Sequence, residues 1–298
     1  MNKILPLLFI GCILFMQLNA QTISPQVIST SGSSYSAGGN SVSWTLGQIA
    51  TETYSLPSVT LTQGFQQPNY LVISGFNLDA VLFLEGPFTG SEMSVSLNTA
   101  GVLPFSQPFF GSPWNYPGTE SVPSIPKPDI VDWVLIELRD AASAPAAVEA
   151  TMISRQAGFL MKDGSVVGMD GASSLLFSSS VNEELFLVVW HRNHLGVLSA
   201  NPLNRSMNTY SYDFTDDISK AYGGNSGFKQ IGEGVYGMAG GDSDGDGVII
   251  LADKLFWANE AGKKGYLSSD FNLDAQSNNQ DKNESWLQNT NMSSQVPQ

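Results

Sequence analysis

Apolar positions in this chain come in short runs between polar, glycine-rich and proline-rich breaks. Between Gln21 and Pro68 they alternate with Ser and Thr, as in Ser41-Val42-Ser43-Trp44-Thr45-Leu46 and Val59-Thr60-Leu61-Thr62. Alternation places every second side chain on one face, so residues 21–68 predict three or four short strands in a small β-meander. Gln66-Gln67-Pro68-Asn69 reads as a linker. From 69 to 240 the apolar runs have buried-strand length, at 81–84, 133–138, 165–167 and 185–190, and Asp163-Gly164 marks a hairpin turn. Together they predict a mainly β fold, an antiparallel β-sandwich. Residues 105–128 are too broken by proline for a core strand and read as a long surface excursion, where binding tends to sit.

The pattern changes after Gly240. Helix formers occupy 251–258 and 280–287, each with a tryptophan about a turn beyond an Asp-Lys pair, predicting two short helices packed through Trp257 and Trp286. This third domain spans 241–288, and the polar residues 289–298 read as a disordered tail.

At the other end, Met1-Asn2-Lys3, an apolar run over 4–15 and a polar approach to Ala20 have the layout of a secretory signal peptide over 1–20. The run is too short to span a bilayer. Cys12, the sole cysteine, lies within it, and lipidation there would leave too little apolar segment ahead of the cleavage point. The exported chain would then carry no thiol, so it must be stabilised by core packing or by metal. The net charge of −14 argues against nucleic acid and against docking on anionic lipid, and no later stretch suits membrane insertion.

Much of that charge is organised. Asp242, Asp244, Asp246 and Asp253 repeat 28 residues later as Asp270, Asn272, Asp274 and Asp281, so side-chain oxygens fall at positions 1, 3, 5 and 12 of two loops. A hard cation collects about six to eight oxygens, and this spacing is that of an EF-hand-type calcium loop. The backbone carbonyls of Val248 and Gln276 would supply position 7. Two calcium ions are expected, the second held more weakly, because Ala275 stands where the sharp turn favours glycine.

These loop residues resemble a dockerin, a small duplicated calcium module of secreted polysaccharide-degrading and surface proteins. The resemblance implies calcium-dependent folding and, in some members, docking onto a protein scaffold. Leu251-Ala252 and Asn279-Gln280 lack the Ser/Thr pairs that usually read the partner, and Ser277 replaces an aliphatic residue that usually bridges the loops. Most of the remaining chain is similar to secreted proteins described as hemagglutinins and associated with type IX secretion. Carrying segments include Thr22-Ile23-Ser24-Pro25-Gln26-Val27, Leu61-Thr62-Gln63-Gly64-Phe65 and Trp190-His191-Arg192-Asn193-His194-Leu195-Gly196. That resemblance implies export and adhesion.

Catalytic signatures are thin. His191 and His194, the only histidines, lack metalloprotease spacing, so a polar turn with Arg192 paired to a carboxylate is expected. Asp132, Glu137 and Asp140 flank one strand, where salt bridges are expected rather than a glycosidase pair. No phosphate loop, dinucleotide fingerprint or nucleophile elbow occurs. Aromatics at Phe109, Phe110, Trp114 and Tyr116 could stack on sugars or cap the core, and capping is expected. The sequence therefore points to a secreted or cell-surface calcium-binding protein without catalysis, an adhesin recognising a surface glycan or glycoprotein. The alternatives are a docking module for a protein scaffold and a glycan-active hydrolase.

Overall fold

The structure is a computed structural model that describes residues 75–298 in full and, before them, the strands β1 (Ser31–Ala37), β2 (Asn40–Leu46), β3 (Thr53–Leu56) and β4 (Val59–Thr62). The expected signal peptide over 1–20 and the expected linker at Gln66-Gln67-Pro68-Asn69 lie outside the described residues. The chain divides into two compact units, Met1–Leu71 and Val72–Gln298. Among the described residues of the first, β1 pairs with β2 and β3 with β4, each antiparallel, and the rest of the expected meander lies outside the described residues.

The second unit runs β5 (Phe76–Val81), β6 (Ile130–Ala141), β7 (Met152–Met161), β8 (Val166–Val167), β9 (Leu175–Phe177), β10 (Glu184–Trp190), β11 (Val197–Leu198), β12 (Asn204–Ser206), β13 (Thr209–Asp213), β14 (Phe228–Gly232) and β15 (Val235–Met238). One sheet has five strands in the order β11-β10-β6-β7-β8, and another has four in the order β12-β13-β5-β9. Their side chains share one core, in which Leu78 and Tyr210 meet Trp133, Leu135 and Leu187. The expected antiparallel pairing is broken among the described residues where β13 runs parallel to β5 and at the parallel bridge between Leu84 and Met238. Those strands are far apart in sequence, so the connection crosses over rather than turning back in a hairpin.

Strand β6 organises the unit. It is hydrogen-bonded on both sides, and nearly every residue from Ile130 to Ala141 is buried. Burial on both faces explains its almost unbroken apolar run, which alternation alone would not produce. Trp133 packs on Phe159 at 4.2 Å on the side of the main core. On the other face Phe186, Val188 and Leu198 are covered by Ala144, Ala147 and Val296.

Val296 belongs to the segment expected to be a disordered tail. Residues 289–298 are instead fixed through backbone groups, which a reading of side-chain polarity does not register. Ile249 N–H donates to the Met292 carbonyl, Ser294 N–H to the Gly247 carbonyl, and Arg139 Nη1 to the Pro297 carbonyl at 2.6 Å.

The 241–288 segment is likewise no separate domain, because it falls in the same compact unit as the two sheets. Its apolar residues Ile249, Phe271 and Trp286 form a cluster with Leu195 and Ala239 of the two-sheet body. A module this small cannot bury enough surface by itself, and here it borrows a core.

Candidate metal centre

Residues 242–253 form loop 1, whose last residues open the helix Leu251–Glu260, and residues 270–281 form loop 2, whose last residue opens the helical segments Asp281–Trp286 and Leu287–Asn289. In loop 1 the carboxylates fold back on their own backbone. Asp242 accepts from Gly247 N–H, Asp244 from Asp246 N–H, Asp246 from Val248 N–H, and Asp253 from Ser243 and Ile250 N–H. Loop 2 repeats each bond. Asp270 accepts from Ala275 N–H, Asn272 from Asp274 N–H, Asp274 from Gln276 N–H, and Asp281 from Phe271 and Asn278 N–H. Short side-chain oxygens that bond the backbone two residues on are what curl such a loop.

The two halves also clasp one another reciprocally. Trp257 Nε1 donates to the Asn278 carbonyl at 2.6 Å, and Trp286 Nε1 donates to the Ile250 carbonyl at 2.8 Å. Lys282 lies over the Trp257 ring at 4.4 Å and Lys254 over the Trp286 ring at 5.5 Å. Position 8 does not join loop to loop. Ser277 N–H donates to the Lys263 carbonyl and Ile249 N–H to the Met292 carbonyl, so each loop pairs with the strand-like segment that follows the other half's helix. Buried Ser277 is satisfied at its hydroxyl by Ser269 at 2.7 Å.

The carboxylate oxygens of Asp242, Asp244 and Asp246 lie within 4.8 Å of one another, close enough to hold one metal ion. Asp242 is 2% exposed, yet its Oδ1 has no hydrogen-bond partner among the described residues. A buried carboxylate oxygen without a donor is costly, and a cation removes that cost. Among the described residues no backbone N–H donates to the Val248 or Gln276 carbonyls, which leaves both position-7 oxygens available. Burial, reinforced by Asp253 and the other loop carboxylates, pushes the Asp242 carboxyl up to about 7. Burial likewise raises Asp270 to about 7, with Arg192 opposing and Asp281 adding. Burial also raises Asp244, Asp253 and Asp281. Such a site favours protons or a cation over free carboxylates.

Loop 2 differs in how its oxygens are used. Asp270 accepts from Asp274 N–H with one oxygen and from Ala275 N–H with the other, and Asn272 Nδ2 donates to Asp274 at 3.2 Å. Loop 2 thus satisfies itself with fewer charges than loop 1.

A connection that the sequence did not reveal locks loop 2 to the two-sheet body. Fully buried Asp132 accepts from Arg192 Nε at 3.0 Å, Tyr266 Oη at 2.7 Å and its neighbour Trp133 N–H at 2.7 Å, with His191 Nε2 at 3.3 Å. Arg192 lies over the Tyr266 ring at 4.1 Å and donates to the Leu267 carbonyl. Asn193 Nδ2 donates to the Ser268 and Asp270 carbonyls. Burial raises the Asp132 carboxyl, but the Arg192 charge and the His191 bond outweigh it and hold it below its usual value. Both histidines are held below the usual imidazole value by burial, His194 well below it, with neighbouring His191 and Arg192 acting in the same direction on His194. His194 Nδ1 meets Asn193 Oδ1 at 2.9 Å and His191 Nδ1 at 3.1 Å, while Gly86 N–H donates to its Nε2. Every imidazole nitrogen is therefore engaged within the fold.

The remaining carboxylates of interest are also paired. Glu137 is fully buried between Arg139 at 2.6 Å and Arg155 at 2.7 Å, and Asp140 accepts from Asn182 and Glu183 N–H. Phe109 and Tyr116 fold inward, as a capping role requires, whereas Phe110 is 75% exposed. No family model matches this chain, and no curated protein or solved structure matches it.

Proposed function

We propose that this is a secreted or cell-surface, calcium-binding protein that recognises a glycan or glycoprotein without catalysis, and that its two dockerin-like loops hold calcium as part of the fold. The observation that carries the calcium reading is the oxygen-only cluster of Asp242, Asp244 and Asp246, with one buried Asp242 oxygen lacking a donor. An all-oxygen, carboxylate-rich set with a carbonyl in reserve suits a hard cation of flexible coordination, and calcium fits that better than zinc or copper. The non-catalytic reading is supported by the pairing of Asp132, Glu137, His191 and His194 into structural networks. The test is thermal unfolding with calcium and with excess chelator, beside elemental analysis of bound metal. Calcium should raise the midpoint and be retained at two ions per chain. An identical melt with no bound metal overturns the reading.

One surface favours the docking alternative. Leu251, Leu255 and Phe256 on the first helix are 64%, 60% and 42% exposed, an apolar stripe suited to a protein partner. Because loop 2 shares its core with the two-sheet body, this alternative is tested on the full chain. Leu251→Asp with Leu255→Asp should abolish capture by a scaffold if docking is the function and leave glycan binding intact if it is not.

A further inference from the structure

Loop 1 forms one wall of an open cleft of about 400 Å3. That volume falls within the range of small-molecule sites, about 300–1,000 Å3. Trp114 from the 105–128 excursion and Trp190 at the end of β10 both line it, and Arg155, Glu149, Gly245 and Asp246 contribute the polar surface.

The aromatic walls are held in place. Trp190 Nε1 donates to Glu137 Oε2 at 3.2 Å, and its ring lies so close to Gly196 that a Cβ there would sit 2.2 Å from it. Trp114 stands edge-to-face on Phe109 at 5.2 Å, and its carbonyl accepts from Arg155 Nη1 at 3.1 Å. Rigid aromatic faces cost little entropy when a ligand stacks on them.

Charge narrows the ligand. The two guanidinium groups of the floor, Arg139 and Arg155, share Glu137 and are further engaged with the Ala147, Pro297 and Trp114 carbonyls. Glu149 and Asp246 add two carboxylates to the lining, so an anionic ligand meets no surplus of positive charge. A neutral molecule rich in hydroxyls can stack on the tryptophans and donate to the carboxylates.

We propose that this cleft is the carbohydrate site of the protein and takes a short stretch of a neutral polysaccharide, an inference that rests on the glycan reading above. Calcium acts on it through loop 1. Gly245 is so near Trp114 that a Cβ would lie 2.6 Å from the ring, so ordering the loop sets the position of that cleft wall. Binding therefore depends on calcium although the sugar need not touch the ion.

The experiment is affinity electrophoresis of the calcium-loaded full chain in gels holding hydroxyethyl cellulose, xylan, β-1,3-glucan, galactomannan, glycogen or, as anionic comparisons, polygalacturonate and heparin. At least one neutral polymer should retard the protein. Retardation should fall about fivefold to tenfold in Trp114→Ala, in line with loss of one stacking face. It should also weaken in Glu149→Ala, a change at an exposed position that leaves the fold intact. Calcium-dependent melting of each variant controls for folding. Retardation by neutral polymers that persists unchanged in both variants overturns the cleft but leaves the glycan reading standing. Retardation by the anionic polymers alone overturns the cleft proposal. Absence of retardation by every polymer overturns both, while bound calcium measured separately decides the metal reading.

Discussion

Loop 1 turns at Gly245 and Gly247, with φ of +73° and +86°, whereas loop 2 makes the same turns at Leu273 and Ala275, at +56° and +70°. For a residue with a Cβ the left-handed region costs on the order of 1 kcal/mol, and loop 2 bears that cost twice. Its compensation lies in burial. Leu273 is fully buried in the main core, where removal from water contributes about 1.5–3 kcal/mol. Gly86 completes the fit, since a Cβ there would lie 1.8 Å from the Phe271 carbonyl oxygen. Loop 1 has no such plug; it keeps glycine at both turns, four aspartates, a free buried oxygen and a face on the cleft. The two copies of the motif thus differ: loop 2 is anchored in the core, whereas loop 1 keeps a carboxylate cluster that could hold a metal ion and lines the cleft.

The largest effect is expected from cutting the anchor. Asp132→Ala leaves the buried Arg192 charge without its carboxylate, and urea denaturation should show a loss of about 3–5 kcal/mol. A loss below about 1 kcal/mol would mean that Asp132 does not hold loop 2. Next comes Leu273→Gly, which relieves the left-handed strain but forfeits the burial and leaves a cavity. The net expectation is a loss of about 1–4 kcal/mol, and a gain would mean that the core does not carry loop 2.

Protons distinguish the loops' shared chemistry from their different supports. Raised carboxyl values mean that the metal-free native state holds more protons than the unfolded chain between the ordinary 3.8 and about 7. The contribution of these two carboxyls to the stability of the metal-free protein should therefore be fully present below pH 4 and be lost as the pH rises through 7, by about 1–3 kcal/mol after relaxation and screening reduce the full linkage value, while depressed carboxyls such as Asp132 act in the opposite sense at the acid end. Saturating calcium should remove that decline, which denaturation curves at pH 4, 5.5 and 7.5 would measure. The smallest effect is the turn itself. Ala275→Gly should stabilise by about 0.5–1 kcal/mol and Gly247→Ala destabilise by about 1 kcal/mol, and equal effects of the same sign would erase the distinction between the loops.

The acidic loops were legible in the sequence because their geometry is local: carboxylate and amide oxygens bond backbone N–H groups two residues on. Strands β6 and β10 were legible because burial on both faces leaves an apolar run at 133–138 and at 185–190. Of the anchor, the pairing of Arg192 with a carboxylate was expected, but its joining to Tyr266 and loop 2 was not, since those residues meet only through tertiary structure. Nor was the order of residues 289–298, because their polar side chains say little about carbonyls that accept from Arg139 and Ile249. The cleft combines both failures: Trp114, Trp190 and Gly245 are widely spaced, and only the fold makes them neighbours.

The most direct test is a calorimetric calcium titration of the metal-free full chain at pH 7.5, beside Asp242→Asn and Asp270→Asn. The wild type should bind two ions of unequal affinity, with the tighter event missing in Asp242→Asn and the weaker one missing in Asp270→Asn. Absence of binding, or a tight event that survives in Asp242→Asn, would contradict the assignment of loop 1 as the principal calcium site.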